Sequence, residues 1–579
     1  MTRYSKHKTN SKTAVSETQT ASATRHPHQL DTSSTHSTSH PTERNESGSK
    51  ILTATSNISN DPSQSSVSSS NSAPGSLTHV LHPIEKRKTV PKASRKRCLS
   101  TLDDDNSIAG GVSVDSYHLT VVPPPTPVKK ASVDVGPDAE RQLVADGAPA
   151  HASVATAVAE ISEPLSDPCC DPEHPVRVSF ADVSEAAFKI KSGIERTSCK
   201  KSPFFSDLTG MQIYLKKEFN MVTGSFKERG ARNTLLRLPK EKQQIGVIAA
   251  SAGNHALALA YHGSLLKIPV TVIMPTIAPL MKISSCRRYG AEVMLYGRHL
   301  GDAKGKALRL AQRHGYTYIN GYDHPHIIAG QGTCGMEIIE DVPDLDAVVV
   351  PIGGAGLIAG VSLAVKTLNP GVQVIGVEPK TVPSFTKALE HGKPVAVQPG
   401  STIADGLAVP TVGVNSFETC KHLVDKVVTV SEQSIALAIL RLVEIEKAIV
   451  EGGGATGLAA ILEGLLPELK GKKVVVPLCG GNIDTTVLGR CLERGLAVDG
   501  RLRCFSITVS DRPGGIADLT ALLAREGASI KDIYHERAWI KSDIFSVRVR
   551  ITVETHGIDH CVELESALRK VYAEVSVVV

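Results

Sequence analysis

The chain has 579 residues and contains no long uninterrupted apolar run. A helix that crosses a bilayer needs about 20 consecutive, mostly apolar residues, so the sequence predicts no membrane span. Strong charge is missing as well, because 64 basic residues nearly balance 59 acidic ones and leave a net charge of +5. This mild charge, without a basic and aromatic stripe, does not favour a nucleic-acid surface. We therefore expect neither nucleic acid nor membrane as a partner.

Cysteine pairs with metal or redox spacing are also absent. Eleven cysteines are present, but none stands in a C-x-x-C pair, so the sequence predicts neither a zinc site nor a disulfide framework. The N-terminus shows no secretory signal. Together these absences predict a reducing compartment and a cytoplasmic location. Basic and hydroxyl residues near the N-terminus leave mitochondrial import as an alternative, although no arginine-rich amphipathic helix accompanies them.

The composition divides the chain into three parts. Residues 1–165 are rich in Ser, Thr, Pro, His and Ala and poor in aromatic residues, so we predict a disordered, low-complexity region. Its basic clusters at 86–88 and 95–97 are interpreted as solvated linker charge in preference to a nuclear signal. Residues 166–498 are predicted to form a large domain with two lobes, and residues 499–579 a separate C-terminal domain.

The most informative segment is residues 223–231, which reads TGSFKERGA. Lys227 stands between a Gly-Ser turn and a Gly-Ala step, ahead of an apolar run. This pattern is typical of a loop that enters a helix and lets a bulky group approach the backbone. A lysine amine is a useful nucleophile where it is neutral and can attack a carbonyl, as with the aldehyde of pyridoxal phosphate. The alternative for a single lysine is an ordinary surface charge.

Three apolar runs farther along have strand character and end in loops of small or polar residues. Each run leads directly into its loop: 247–250 into 251–255, 347–352 into 353–356, and 474–478 into 479–482. Free backbone N–H groups in the first loop suit a carboxylate, and a glycine turn at a helix N-terminus suits a phosphate. In an open α/β sheet such loops meet beyond the carboxyl ends of the strands. We therefore expect one ligand site built from all three loops.

These motifs, in this order, resemble those of the fold-type II pyridoxal phosphate enzymes, and in particular the threonine and serine dehydratases. The resemblance covers residues 176–498, and its most specific stretches read SFKERGA and SAGNH. It implies an α/β fold with two open, twisted sheets flanked by helices. It also implies that the 166–498 domain is catalytic, with a pyridoxal phosphate cofactor joined to the catalytic residue Lys227 as a Schiff base.

The resemblance assigns residues around that cofactor. Asn254 is expected to contact its 3′-oxygen, Cys479 its pyridine nitrogen and the glycine turn its phosphate. The implied cofactor-binding residues are Phe226, Lys227, Asn254, Gly353, Gly354, Ala355, Gly356 and Cys479. The implied substrate-binding residues are Ser251, Ala252, Asn254 and His255. The residues alone leave simpler roles open: a tight turn for the glycines, a buried filler for Cys479 and a structural ring for His255.

The expected chemistry is β-elimination. With a thiol in place of a carboxylate at the pyridine nitrogen, the cofactor is expected to be a moderate electron sink. This favours prompt loss of a β-hydroxyl, with the Lys227 amine as general base. The resemblance therefore implies a threonine ammonia-lyase that converts L-threonine to 2-oxobutanoate and ammonia, and L-serine more weakly to pyruvate. Two alternatives stay open: an L-serine dehydratase with racemase side activity, and a catalytically vestigial amino-acid sensor.

Two positions depart from related enzymes. Racemases that resemble this chain have a second serine where Ala252 stands, so efficient racemisation is not expected. Metal-activated relatives pair a glutamate with a downstream aspartate, whereas here Glu378 has no matching carboxylate at 380–384. We therefore expect no metal. Glu451 has two interpretations, tuning of the cofactor ring or a structural place at a helix start.

Residues 499–579 show the order strand, helix, strand, strand, helix, strand, which predicts a ferredoxin-like sandwich. This order, with the loop 511–514 that reads DRPG, resembles the ACT regulatory domain. The resemblance implies a small amino-acid effector, with its carboxylate at Gly515 and Ile516 on a helix N-terminus. The alternative is a dimerisation module without a ligand. We expect a homo-oligomer, either a dimer or a tetramer.

Overall fold

The structure is a computed structural model that describes residues 165–538, 540 and 543–578. The predicted low-complexity region and its two basic clusters therefore lie outside the described residues, apart from residue 165. In the described part, no helix combines the length and apolar character that crossing a bilayer requires.

The strands are numbered in chain order. They are β1 Cys199–Lys201, β2 Gln212–Lys216, β3 Val247–Ala250, β4 Val270–Met274, β5 Glu292–Leu295, β6 Thr317–Tyr318, β7 Ala347–Pro351, β8 Gln373–Pro379, β9 Lys426–Val430, β10 Lys473–Pro477, β11 Leu502–Ser510, β12 Ser529–Glu536, β13 Ser546–Glu554 and β14 Val575–Val578.

The α-helices are numbered in the same way. They are α1 Phe180–Ile190, α2 Pro203–Thr209, α3 Lys227–Arg237, α4 Lys240–Ile245, α5 Asn254–Leu266, α6 Leu280–Arg288, α7 Leu300–His314, α8 Pro325–Asp341, α9 Gly356–Leu368, α10 Ser384–His391, α11 Val414–Cys420, α12 Glu432–Arg441, α13 Gly452–Leu462, α14 Thr485–Val498, α15 Gly515–Arg525 and α16 Ile558–Val571.

The larger sheet has the order β1-β2-β10-β7-β8-β9. β1 is antiparallel to β2, and the other pairs are parallel. Every residue of β7 is buried, and separate hydrophobic clusters pack on the two faces of the sheet. A parallel sheet covered by helices on both faces requires continuous Val-rich strands, and this requirement explains the unbroken apolar runs of β7 and β10.

The second sheet is smaller and has the order β5-β4-β3-β6, with all pairs parallel. The chain builds β1 and β2 in the larger sheet, crosses through α3 to build β3 to β6, and then returns to the larger sheet. Two open α/β sheets flanked by helices are therefore present, as the family resemblance implies. α3 starts at Lys227, so the crossing between the two lobes begins at that residue.

The C-terminal sheet is antiparallel, with the order β12-β13-β11-β14. The helices α15 and α16 complete the predicted order of strands and helices, and the packing has a hydrophobic cluster of its own. This arrangement confirms the ferredoxin-like sandwich. The domain boundaries at 166, 498 and 499 stay predictions.

Candidate active site

The loop before α3 and the loop after β10 are joined by their backbones. The N–H of Phe226 donates to the carbonyl of Cys479 at 3.1 Å, and the N–H of Gly481 donates to the carbonyl of Gly224 at 2.9 Å. Gly224 has a φ of 76°, and a Cβ there would lie 2.6 Å from the Asn482 side chain. Glycine is therefore required at 224 for both backbone conformation and close approach. The pairing brings Lys227 and Cys479 to one site.

Lys227 is the first residue of α3, and its side chain is only partly exposed. Its Nζ donates to the carbonyl of Gly321 at 2.6 Å and lies 5.0 Å from the centre of the Phe226 ring. Burial lowers the pKa of Lys227 to about 8, although Cys479 and Glu451 act in the opposite direction. Because burial penalises the charged ammonium, a large fraction of this amine is neutral near pH 8.

Asn254 connects the loop after β3 to the other two loops. Its Nδ2 donates to Glu451 Oε1 at 2.7 Å, and its Oδ1 accepts from Asn482 Nδ2 at 2.9 Å. The same Asn482 amide donates to the Thr223 carbonyl at 2.7 Å. The side chain of Asn254, at the start of α5 in the smaller lobe, is therefore fixed by two residues of the larger lobe.

Glu451 lies at the N-terminal end of α13 and faces Asn254. Its carboxylate is close to Gly480, where a Cβ would lie 2.5 Å from Glu451 Oε1. Burial raises the pKa of Glu451 to about 7, and the charge of Asp405 adds to this shift. Glu451 therefore stands at a helix start and beside the Asn254 amide, and its tuning of the cofactor ring stays a prediction.

Neighbouring residues pack closely against two sides of the glycine turn at 353–356. A Cβ on Gly353 would lie 3.0 Å from Leu407 Cα, and one on Gly354 would lie 2.3 Å from the Tyr322 ring. Ala355 has a φ of 71°, and α9 begins at the next residue. Within the described chain, the N–H groups of residues 353–355 have no acceptor. Free N–H groups at a helix N-terminus form an anion cradle, which suits a phosphate.

Cys479 is buried directly after β10, and its Sγ donates to the carbonyl of Pro477 at 3.4 Å. Burial raises the pKa of the Cys479 thiol well above its usual range, and the charges of Glu218 and Glu451 add to this shift. The thiol is therefore neutral. A neutral thiol at this position can accept or donate a weak hydrogen bond but supplies no charge.

The residues predicted to bind substrate lie at the start of α5. Ser251 Oγ accepts from the N–H of Gly253 at 3.3 Å, and Ala252 packs against the core of the smaller lobe. His255 is buried, and its Nε2 donates to the carbonyl of Ile319 at 3.1 Å. Burial and the nearby charge of Lys227 lower the pKa of His255 to about 3, so its ring is neutral.

The loop after β6 is a part of the site that the sequence did not indicate. A Cβ on Gly321 would lie 2.8 Å from the His255 ring, so this histidine supports the turn whose carbonyl receives Lys227 Nζ. The Tyr322 ring packs against Gly354 of the glycine turn. The only sequence signal for this loop was the small, polar stretch NGYD at 320–323, because β6 has two residues. So short a strand shows no recognisable pattern.

Glu378 has a structural role at the start of α10. Its carboxylate accepts from the N–H groups of Phe385 at 2.6 Å and Thr386 at 2.9 Å, and from the Thr386 hydroxyl at 2.7 Å. These bonds fix the start of α10. Its oxygens are therefore engaged by neighbouring donors.

The predicted effector residues lie at the start of α15 in the C-terminal sandwich. Gly515 begins α15, and its N–H donates to the Arg512 carbonyl at 3.1 Å. A Cβ on Gly515 would lie 2.0 Å from the Ser510 carbonyl oxygen. The N–H of Gly515 is thus used in the turn itself, and Ile516 follows it in the first helical turn. The effector site stays a prediction.

Comparison with known proteins identifies the family. The family model described as pyridoxal-phosphate dependent enzyme matches residues 190–480, which include Lys227, Asn254, the glycine turn and Cys479. The chain belongs to this family. An L-threonine ammonia-lyase of Thermotoga maritima is 42% identical over 391 residues, which are 68% of this chain and 97% of that protein.

Two solved structures are similar to this pyridoxal-phosphate dependent enzyme. The processed form of threonine deaminase isoform 2 from Solanum lycopersicum is 34% identical with a TM-score of 0.52, and the match covers 57% of this chain and 98% of that one. Maize serine racemase is 31% identical with a TM-score of 0.53, and the match covers 56% and 99%.

The site has the features that pyridoxal phosphate requires. A buried amine of low pKa suits its aldehyde, and the unpaired N–H groups of the glycine turn suit its phosphate. The loops that contain Phe226, Asn254 and Cys479 are joined to one another by hydrogen bonds. The residues present therefore fit the cofactor of the family.

Proposed function

We propose that the chain is a pyridoxal phosphate-dependent L-threonine ammonia-lyase, which converts L-threonine to 2-oxobutanoate and ammonia and acts on L-serine more weakly. The identity of 42% to a protein named L-threonine ammonia-lyase, over 97% of that protein, supports this reaction. The likeness to a threonine deaminase structure supports it as well. The observation that carries the proposal is the partly buried Lys227 amine of low pKa, together with a glycine turn whose N–H groups have no acceptor within the described chain.

The residues proposed to hold the cofactor divide by its chemical groups. Lys227 takes the aldehyde, the turn at 353–356 takes the phosphate, and Asn254 and Cys479 face the ring. When bound, the cofactor withdraws electrons from the substrate Cα and so makes its hydrogen acidic. The neutral Cys479 thiol does not stabilise positive charge on the ring nitrogen, which limits this withdrawal and favours elimination over racemisation.

Lys227 is proposed as the general base. About half of its amine is neutral at pH 8 and can therefore receive the α-proton at Nζ. The Gly321 carbonyl, 2.6 Å from Nζ, then holds the resulting ammonium in place. The Gly321 turn is itself supported by the buried, neutral His255 ring. We interpret His255 as a positioning residue, because its Nε2 is already engaged by a carbonyl.

The substrate carboxylate is proposed to lie at the N-terminus of α5. Ser251 and Asn254 stand at this helix start, where backbone N–H groups and the helix dipole favour an anion. Asn254 is held by Glu451 and Asn482, so its amide has a fixed orientation. This arrangement directs the α-amino acid toward the Lys227 amine.

Racemisation is the second candidate, because maize serine racemase has the same fold at 31% identity. Ala252 argues against it, since a methyl group provides no second proton donor on the other side of the cofactor. Ala252 also packs against the core of the smaller lobe.

The test measures ammonia, 2-oxo acids and D-serine from the full-length protein supplied with L-threonine and L-serine. We expect 2-oxobutanoate from threonine at a higher rate than pyruvate from serine, and D-serine at less than about one tenth of the ammonia rate. D-serine formed as fast as ammonia would favour the racemase. The absence of ammonia from both substrates, with the cofactor bound, would refute the lyase and leave the sensor.

The C-terminal sandwich is proposed to bind a small amino acid and to regulate the reaction. Arg501 connects it to the catalytic part, because its Nε pairs with Asp499 at 2.8 Å and its guanidinium also contacts Glu444. The Arg501 carbonyl accepts from the N–H of Thr555 in the sandwich at 3.1 Å. Rates measured with and without isoleucine or valine test this regulation, and unchanged rates over the whole concentration range would contradict it.

The chain is also proposed to form a homo-oligomer. Near the start of α6, the side chains of Ile277, Leu280 and Met281 are 79%, 80% and 70% exposed. Contiguous exposed apolar side chains are typical of protein interfaces. Sedimentation analysis of the full-length protein is expected to show a dimer or tetramer, and a monomer at micromolar concentration would contradict this.

A further inference from the structure

The segment 165–178, here called the strap, precedes α1 and is fastened to α11. The N–H of Val176 donates to Asn415 Oδ1 at 2.7 Å. The Asn415 amide nitrogen donates to the Cys169 carbonyl at 2.7 Å and to the Asp323 carbonyl at 2.9 Å. A single side chain thus joins the strap to the loop after β6.

Asp323 is the buried centre of this region, with 3% of its surface exposed. Its Oδ2 accepts from the N–H of Val414 at 2.9 Å, and its Oδ1 accepts from the N–H of Ser416 at 2.9 Å. It also fills the space beside Gly413, where a Cβ would lie 2.1 Å from Asp323 Oδ1. The carboxylate therefore fixes the residue before α11 and the first turn of that helix.

The same residues hold the glycine turn of the active site. The N–H of Gly413 donates to the Gly354 carbonyl at 3.1 Å, and Ser416 Oγ donates to the Tyr322 carbonyl at 2.7 Å. Tyr322 in turn lies against the turn, with its carbonyl oxygen 2.2 Å from the place of a Cβ on Gly356. Asp323 is therefore linked to the proposed phosphate cradle by one path that ends in the hydrogen bond from Gly413 to Gly354, and by a second that ends in the packing of Tyr322 against Gly356.

The strap places Asp167 and Cys170 near Asp323. Burial raises the pKa of the Cys170 thiol well above its usual range, and the nearby charges of Asp323 and Asp167 add to this shift. Asp167 is 4% exposed, and its Oδ2 has no partner within the described chain. Burial raises the pKa of Asp323 to about 6, against the hydrogen bonds that lower it. Asp323 and Asp167 are thus both buried where the strap is joined to the loop after β6.

We propose that Asp323, covered by the strap, is a positioning residue that sets the affinity of the glycine turn for the cofactor phosphate. It acts through Gly413 and Ser416 and does not itself line the site. The inference rests on the proposed function, because it requires that the turn at 353–356 binds pyridoxal phosphate. An amide in place of the carboxylate would keep the volume but lose one of the two acceptors, so either Val414 or Ser416 would lose its bond.

The first experiment compares wild type with Asp323→Asn as full-length proteins stripped of cofactor. Visible absorbance measures the dissociation constant of added pyridoxal phosphate. We expect that constant to rise at least about tenfold in Asp323→Asn, while kcat at saturating cofactor stays within about twofold. As a matched control, Asp425→Asn removes another carboxylate that accepts a backbone N–H, from Val374 at 2.7 Å. Its dissociation constant should equal that of wild type.

A second readout is independent of the reaction. Inorganic phosphate should raise the midpoint of thermal unfolding of the cofactor-free wild type and of Asp425→Asn, and should raise that of Asp323→Asn much less. Asn415→Ala should weaken cofactor binding in the same direction, because it removes the hydrogen bonds that join the strap to Asp323. Equal phosphate effects and equal dissociation constants in wild type and Asp323→Asn would overturn the inference.

The outcomes separate this inference from the proposed function. If wild type binds no pyridoxal phosphate, the proposed function fails together with the inference. If wild type binds it and Asp323→Asn binds it equally well, the inference alone fails. Should Asp323→Asn not fold, Ser416→Ala removes only the hydroxyl bond to the Tyr322 carbonyl. A several-fold rise in its dissociation constant supports the inference, and an unchanged constant refutes it.

Discussion

A comparison of Lys216 with Lys227 shows that the surroundings of an amine decide its pKa and therefore its reactivity. Lys216 is fully buried but pairs with Glu337 at 2.7 Å and Asp341 at 3.1 Å. Burial acts to lower the pKa of Lys216, but its charged neighbours outweigh burial and raise it. Lys227 forms no ion pair within the described chain and donates to the Gly321 carbonyl. Its amine therefore loses its proton first.

The pKa of Lys227 predicts how fast the cofactor attaches. At pH 8 about half of this amine is neutral, whereas an ordinary lysine would be less than about 1% neutral. Only the neutral form attacks an aldehyde, so the attachment rate of pyridoxal phosphate to cofactor-stripped protein should rise with pH. Stopped-flow absorbance should find the half-maximal rate near pH 8. A rate that keeps rising to pH 10 would contradict the low pKa.

At the scale of elements, α3 is fixed by a buried ion network just after Lys227. Arg229 is fully buried and binds Glu218 through two bonds of 2.7 and 2.8 Å. It binds Glu337 on α8 through two more, also of 2.7 and 2.8 Å. A planar guanidinium matches two carboxylates in this way with a defined direction. The network therefore sets the position of the first turn of α3, and with it the position of the amine.

Arg229→Met tests this network. The change leaves the buried Glu218 without its cation and Glu337 with Lys216 alone, so we expect a loss of about 3–5 kcal/mol in the free energy of unfolding. Arg196→Met is the matched control, because Arg196 pairs with Glu340 and Asp341 at 2.6 Å but is 52% exposed. The control should lose at most about 1 kcal/mol. Equal losses in urea unfolding of the two variants would contradict the assigned role of burial.

The local part of the fold and of the site could be predicted from the sequence. The helix starts at Lys227, Asn254 and Gly356 are each marked by small residues just before an apolar helical pattern. Cys479 follows a Val-rich run that forms β10. Turn chemistry and periodicity act over a few residues, so these signals do not depend on the rest of the chain.

Contacts between distant loops could not be predicted in this way. Asn482 bonds to Thr223 and Asn254, which are 259 and 228 positions away. Such contacts depend on strand order, for example on β10 lying between β2 and β7, and no local pattern contains that order. Tyr322 could not be predicted as a site residue because the strand before it has only two residues.

At the scale of the whole molecule, the C-terminal sandwich has its own hydrophobic core and a connection rich in charge. Phe505 is fully buried in that core. The connection to the catalytic part runs through Arg501, with Asp499 and Glu444 as partners. Because the two cores are separate, we expect the sandwich to unfold without the collapse of the cofactor site.

Phe505→Ala tests this independence. Truncation of a fully buried phenylalanine should destabilise the sandwich by about 3–5 kcal/mol. Far-ultraviolet circular dichroism should then show an early thermal transition, while the visible absorbance of the cofactor disappears at the same temperature as in wild type. Loss of the cofactor signal together with the early transition would show that the two parts unfold as one unit.

Lys227 is proposed to carry the cofactor, and the most direct test is to identify the lysine to which the cofactor is bound. The full-length resting protein is reduced with borohydride, digested and mapped by mass spectrometry. We predict a phosphopyridoxyl group on the peptide that contains Lys227 and none on the peptide that contains the fully buried, ion-paired Lys216. A label on another lysine, or an undiminished label in Lys227→Ala, would contradict it.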